Sequence, residues 1–169
     1  MDLSIRTADE SELAEIIGIL AECSAWLKAK GIIQWPDRFP EAPLLGAIGR
    51  GEIFVATEDD TPVATVTLQW RDPAFWGDRA DAAFIHRLAV RRSHAGVGSQ
   101  LLEWASRQAL SHDRSFVCLD CLSTNLRLRR YYEDLGFQQV GEVSGPSDHP
   151  HSAAHGSWHA ILYERHARS

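Results

Sequence analysis

Apolar positions along this chain follow two rhythms, one of three to four residues and one of two. Leu13, Ile16, Ile17, Leu20 and Leu27 recur at the spacing of a single helical face. A short extended piece, residues 3–6, comes before them, and Thr7-Ala8-Asp9-Glu10 has the T-x-x-E form of a capping box that would start the helix; Gly31 would end it. GIIQWPDRFPEAPLLGAIGRG carries three prolines and a small apolar cluster, which predicts a loop and a brief second helix. EIFVAT and VATVTLQW read as strands joined by the turn-rich EDDTP, an antiparallel hairpin. RDPAFWGDRAD reads as a loop, and AAFIHRLAV as a strand running into a glycine turn. The helix after that turn points Leu101, Leu102, Ala105 and Ala109 inward. SFVCLDCL is the next strand, and Asn125 the N-cap of a helix whose Leu128, Tyr132 and Leu135 share one face before Gly136. FQQVGEV and WHAILYER complete the order as two strands.

The predicted order is β-α-α-β-β-β-α-β-α-β-β, a mixed α/β chain rather than an alternating doubly wound one. Residues 83–90 and 115–122, linked through a helix, are expected to be parallel neighbours joined by a right-handed crossover. With 169 residues, 44% of them hydrophobic, the whole span 1–169 suits a single globular domain. No apolar run reaches the roughly 20 residues of a membrane helix, and MDLSIRTADE lacks the pattern of a signal peptide, so no membrane role and a cytoplasmic location are expected.

Charge narrows the function. Seventeen basic and 23 acidic residues give a formal charge of −6 with no basic run, which disfavours nucleic acid and mildly favours a cationic ligand. Cys118 and Cys121 spell CxxC but fall three apart in a strand, on opposite faces, so neither a redox pair nor a zinc site is expected. His149, His151, His155 and His159 lie among Pro, Gly and Ser in a loop without a helical register, which argues for a solvated rim and against a metal site.

The turn within LAVRRSHAGVGSQLL is neither GxxxxGK[ST] nor GxGxxG, so nucleotide triphosphates and dinucleotides are unsupported. A strand, a glycine turn and a helix N-terminus still present unpartnered amides suited to an anion. Together with the element order, FIHRLAVRRSHAGVGSQLL and NLRLRRYYEDLGF, the chain resembles the GNAT family of acyl-CoA-dependent N-acyltransferases over nearly its whole length. The resemblance implies two parallel central strands splayed at their ends, with acyl-CoA between them and its pyrophosphate on the turn amides. The family's [RQ]xxGx[GA] pattern, counted from the strand end, falls on Ala95, Gly96, Val97, Gly98, Ser99 and Gln100, where Gly98 matches and Ala95 and Gln100 depart. Arg91, Arg92 and His94 are candidates to supply the missing positive charge.

The resemblance further implies acetyl-CoA as co-substrate, no metal, and a small-molecule amine as acceptor. Backbone groups of Leu88, Ala89 and Val90 would hold the pantetheine arm, Asn125 belongs to the same binding set, and Tyr132 would protonate the departing thiolate. His86 stands where many relatives carry a carboxylate. With an ordinary pKa of about 6.5, its imidazole can take the amine proton; Asp120 on the adjacent strand is the second candidate, with Arg87 or His86 as its partner. Trp26, Trp35, Phe39, Trp70 and Trp76 are candidates for an aromatic acceptor pocket. Another acyl donor, an aminoacyl-tRNA donor, a non-catalytic CoA or amine sensor, and a homodimer all stay open.

Overall fold

The structure is a computed structural model that describes residues 3–145 and 158–169. Its framework is one seven-stranded sheet in the order β1-β2-β3-β4-β5-β7-β6. The strands are β1 (Leu3–Thr7), β2 (Ile53–Glu58), β3 (Thr61–Gln69), β4 (Ala82–Val90), β5 (Phe116–Leu122), β6 (Gln138–Gly145) and β7 (Trp158–His166). Every neighbouring pair is antiparallel except β4 and β5, which are parallel as their helical crossover requires. The helices are α1 (Leu13–Ala29), α2 (Glu41–Gly49), the short α3 (Pro73–Trp76), α4 (Val97–Ser111) and α5 (Leu126–Asp134).

Helices cover both faces. Ile16, Ile17 and Leu20 of α1 and Leu44 and Ile48 of α2 pack with Ile53, Val55 and Ala89. Leu101, Leu102 and Ala105 of α4 and Tyr132 of α5 pack on the opposite side with Val66, Ile85 and Leu119. Cys118 and Cys121 separate between clusters, as a two-residue period demands. The β2–β3 turn places Asp59 and Asp60 at φ +49° and +61°, the paired positive values of a two-residue hairpin loop.

Two expectations shift. Thr7 is consumed by β1, where it pairs with Phe54, so the capping box moves to Asp9 and Glu12 and opens a 3₁₀ turn (Glu10–Glu12) ahead of α1. The loop after β3 contains α3, because Asp72 caps it through the Phe75 amide and Pro73 suits the first helical turn. Among the described residues, no helix is long and apolar enough to cross a membrane.

Candidate active site

The parallel β4–β5 ladder stops early. Pairing runs from Ala82 with Phe116 to Ile85 with Leu119, although β4 continues to Val90 and β5 to Leu122. His86 and Asp120 are the first residues past the last pair, so the two strands part at these side chains. On its other edge β4 carries a bulge: Thr67 faces His86 and Thr65 faces Ala89, which sets Arg87 and Leu88 against the single residue Val66. Arg87 adopts φ +48°, and the ladder is broken at the level where the strands part. A cavity of about 370 Å³ fills this opening, running from Gly96 and Gly98 past Leu88 to His86, Asp120 and Tyr132.

At one end lies the start of α4. Gly96 is its N-cap at φ +98°, a conformation that suits glycine, and it offers no side chain to satisfy the first-turn amides. Most helices close this end with Ser, Asp or Asn. Here the amides of Gly98 and Ser99 are left to whatever the cavity admits, since the Ser99 hydroxyl turns back to donate to the Gly96 carbonyl. A Cβ on Gly98 would come 3.2 Å from the Tyr131 hydroxyl. Ala95, Gly96 and Gly98 line the cavity, whereas the Val97 side chain is fully buried in the core. Gln100 is exposed, so its bulk stands outside the cradle. The two positions that demand a small residue are therefore 96 and 98, two earlier than the count from the strand end suggested.

The expected compensating charges divide. Arg91 is bound by Glu15 and Glu22, and His94 lies 3.1 Å from Glu58. Of the three, Arg92 alone has no carboxylate within ion-pair distance among the described residues.

Mid-cavity, one imidazole stands between two acids. His86 Nδ1 is 3.8 Å from Asp120 Oδ1, and His86 Nε2 is 3.4 Å from Asp72 Oδ2. The three side chains are 8–11% exposed. Burial, helped by the charge of Asp72, pushes the Asp120 carboxyl up to about 7. His86, not Arg87, is the neighbour of Asp120; the charges that act on the largely buried Arg87 guanidinium are those of Glu52 and Arg50. Asp72 escaped the sequence reading because it sits in a loop between β3 and β4, with no spacing that ties it to His86.

Tyr132 reaches the cavity from α5 and is 7% exposed; burial raises its phenol well above the ordinary range, so it holds its proton at any physiological pH. Tyr131, on the next helical position, is 37% exposed and turns to Gly98. Asn125 accepts from the Leu128 amide, as predicted for a cap, and donates to Gln34 of the α1–α2 loop at 3.0 Å. That contact carries the loop across the strand opening. Trp26 and Trp35 line the cavity, and so does Trp158, which the sequence reading missed. Phe39 instead packs edge-on against Trp35, Trp70 stacks on His112, and Trp76 packs against Phe84.

His159 lies 2.9 Å from Glu142 on β6, while His149, His151 and His155 fall outside the described residues. Among the described residues no group of His, Cys, Asp or Glu could hold a metal ion.

Comparison with known proteins agrees with this geometry. Residues 20–137 match the model of the Acetyltransferase (GNAT) family. The chain is 30% identical over 143 residues to YesJ of Bacillus subtilis (strain 168), named an uncharacterized N-acetyltransferase, covering 77% of this chain and 79% of that protein. A GNAT-family acetyltransferase from Listeria monocytogenes 4b F2365 superposes with TM-score 0.73 at 23% identity, covering 97% of this chain and 94% of that one. The yncA protein of Salmonella typhimurium, solved with its cofactor acetyl-CoA, superposes with TM-score 0.69 at 19% identity over 100% and 96% of the two chains. By its matched family model, its relative and the splayed strand pair at its centre, the chain belongs to the GNAT family of N-acetyltransferases.

Proposed function

We propose that this chain, acting as one catalytic domain over residues 1–169, transfers the acetyl group of acetyl-CoA to the primary amine of a small molecule by direct attack. The observation that carries this reading is the early end of the β4–β5 ladder at His86 and Asp120, which opens one cavity from an uncapped helix start to a buried phenol. Acetyl-CoA supplies the activated acyl group. The residues present fit it: the Gly96, Gly98 and Ser99 amides suit the pyrophosphate, with Ala95 beside them and the Val97 amide held by the His94 carbonyl at 3.3 Å. Leu88, Ala89 and Val90 offer backbone groups to the pantetheine arm, with Asn125 on the opposing element.

In the transfer a C–S bond is exchanged for a C–N bond. His86 takes the proton that the amine loses, directly or through water, and Asp120 is the alternative acceptor. Tyr132 gives a proton to the thiolate, so the protons balance. No covalent enzyme intermediate is needed, which leaves Cys118 and Cys121 as buried thiols, both pushed up to about 12 by burial. A cytoplasmic location belongs to this reading, since these free thiols suit a reducing compartment.

Incubating the protein with acetyl-CoA and a pooled amine library, and reading masses, tests donor and acceptor together. Products heavier by one acetyl group are expected; CoA binding without any acetylated product would leave a sensor in place of an enzyme.

A further inference from the structure

The acidic chain carries a cationic spot where the cavity opens. The Trp26 indole of α1 is faced by three cations: Arg92 at 3.9 Å from the ring centre, Lys30 at 5.0 Å and Arg127 at 5.6 Å. They come from three different elements, the end of α1, the turn after β4 and the first turn of α5, and all four residues line the cavity. Among the described residues none of these three cations has a carboxylate within ion-pair distance. Their neighbours differ: Lys28 is paired with Asp37, and Arg91 with Glu15 and Glu22. Glu22 is already engaged, by the Arg91 guanidinium and by the Arg92 backbone amide. Three cations without a carboxylate partner are thus concentrated on one indole at the cavity mouth. Cys23, one turn before Trp26, donates to the Val90 carbonyl at 3.2 Å and fixes this part of α1 against β4.

We propose that Trp26, Lys30, Arg92 and Arg127 form an anion-binding rim that selects acceptor amines bearing a carboxylate or phosphoryl group. This rests on the transferase reading, because it assigns the amine end of such a molecule to the site of His86 and Asp120. The cavity is then bipolar, with the Asp120 carboxyl at its centre and uncompensated cations at its mouth, the charge pattern of a zwitterion such as an amino acid. Net charge does not oppose this, because in physiological salt exposed charges beyond roughly 8 Å are largely screened, and the ligand meets the local cluster. The indole lies within cation–π reach of both guanidinium groups and limits their freedom, which strengthens their hold on an anion. The phosphoryl groups of acyl-CoA offer the same chemistry, so the test must separate the two sources.

The test compares the wild type, Arg92→Gln/Arg127→Gln and Lys28→Gln. Each is given acetyl-CoA and paired acceptors, amino acids beside their α-carboxamides and aminoalkylphosphonates beside their neutral methyl diesters. Each is also titrated calorimetrically with CoA and 3′-dephospho-CoA. In the wild type kcat/KM for the anionic member is expected to exceed that of its neutral partner by about tenfold or more, from two charge-assisted contacts, and the double variant should bring that ratio close to one. Lys28→Gln, outside the cavity, should keep the wild-type ratio. An unchanged ratio in the double variant overturns the proposal. If only the preference for CoA over 3′-dephospho-CoA collapses, the rim serves the nucleotide and the acceptor assignment is overturned. Failure of the transferase reading shows separately, as no acetylated product from any pair. The rim is then judged by equilibrium binding of the same pairs, where equal affinities of anionic and neutral members in the wild type overturn it.

Discussion

Replacing Asp120 with Asn should remove a pH trend in stability. The Asp120 carboxyl is nearly buried between strands, with Asp72 adding like charge, and it gives up its proton at about 7 rather than 3.8. Between those values the folded protein binds more protons than the unfolded chain, so this group's contribution is fully present below about pH 4 and is lost as pH rises through about 7. Moving the titration that far corresponds to about 4 kcal/mol, which ionised Asp120 costs the fold at alkaline pH. A protonated His86, 3.8 Å away, would work against this on the acid side and reduce the amplitude. Asp120→Asn has the shape of the protonated acid and no charge to bury, so its advantage over the wild type should grow with pH. Urea unfolding of both proteins from about pH 4 to pH 8 measures it, with an expected rise of several kcal/mol in the difference. A difference that stays flat would mean that Asp120 is ionised throughout and held by a charged imidazole, and the burial argument would be wrong. The same variant bears on chemistry: if His86 is the base, His86→Gln and not Asp120→Asn should abolish the acidic limb of the kcat/KM profile.

Tyr132→Phe should lower turnover by roughly ten- to a thousandfold with little change in CoA affinity, whereas Tyr131→Phe should stay nearly active; full activity of Tyr132→Phe with chemistry rate-limiting would return Tyr132 to a core role. Gly98→Val should weaken CoA binding by about tenfold or more in calorimetry while the thermal midpoint changes little, because the nearest obstacle to its Cβ is the half-exposed Tyr131 hydroxyl; unchanged affinity would place the phosphates elsewhere. Arg165 is buried with its guanidinium shared by Glu103, the Leu135 carbonyl and Ser106, so Arg165→Met should cost about 2–4 kcal/mol in urea unfolding, and a loss well below that would show these contacts to be dispensable.

Local rules settled most of the fold in advance. Periodicity located the helices beginning at Leu13 and Val97, turn chemistry located the hairpin at Asp59 and Asp60, and a crossover helix between two strands made β4 and β5 parallel. These features depend on residues a few positions apart, and so does the Asn125 cap. Tyr132 was legible for a similar reason, because the position of a phenol on a helical face follows from its distance to Leu128 and Leu135. Even local rules slipped where a longer-range partner outbid them, as when pairing with Phe54 drew Thr7 into β1.

The site needed the third dimension. No spacing links Asp72, His86 and Asp120; they meet because a loop, a central strand and its parallel neighbour converge where the ladder ends. The same holds for charge. The sequence supplied a sum of −6, but which cations are neutralised depends on contacts spanning about seventy residues, such as Arg91 with Glu22. Arg91 and Arg92 are neighbours in the chain and opposite in outcome, one quenched by α1 and the other laid over Trp26. Backbone hydrogen bonding and side-chain period act over one or two turns and can be read along a chain, whereas burial and Coulomb interactions depend on distances that only packing creates.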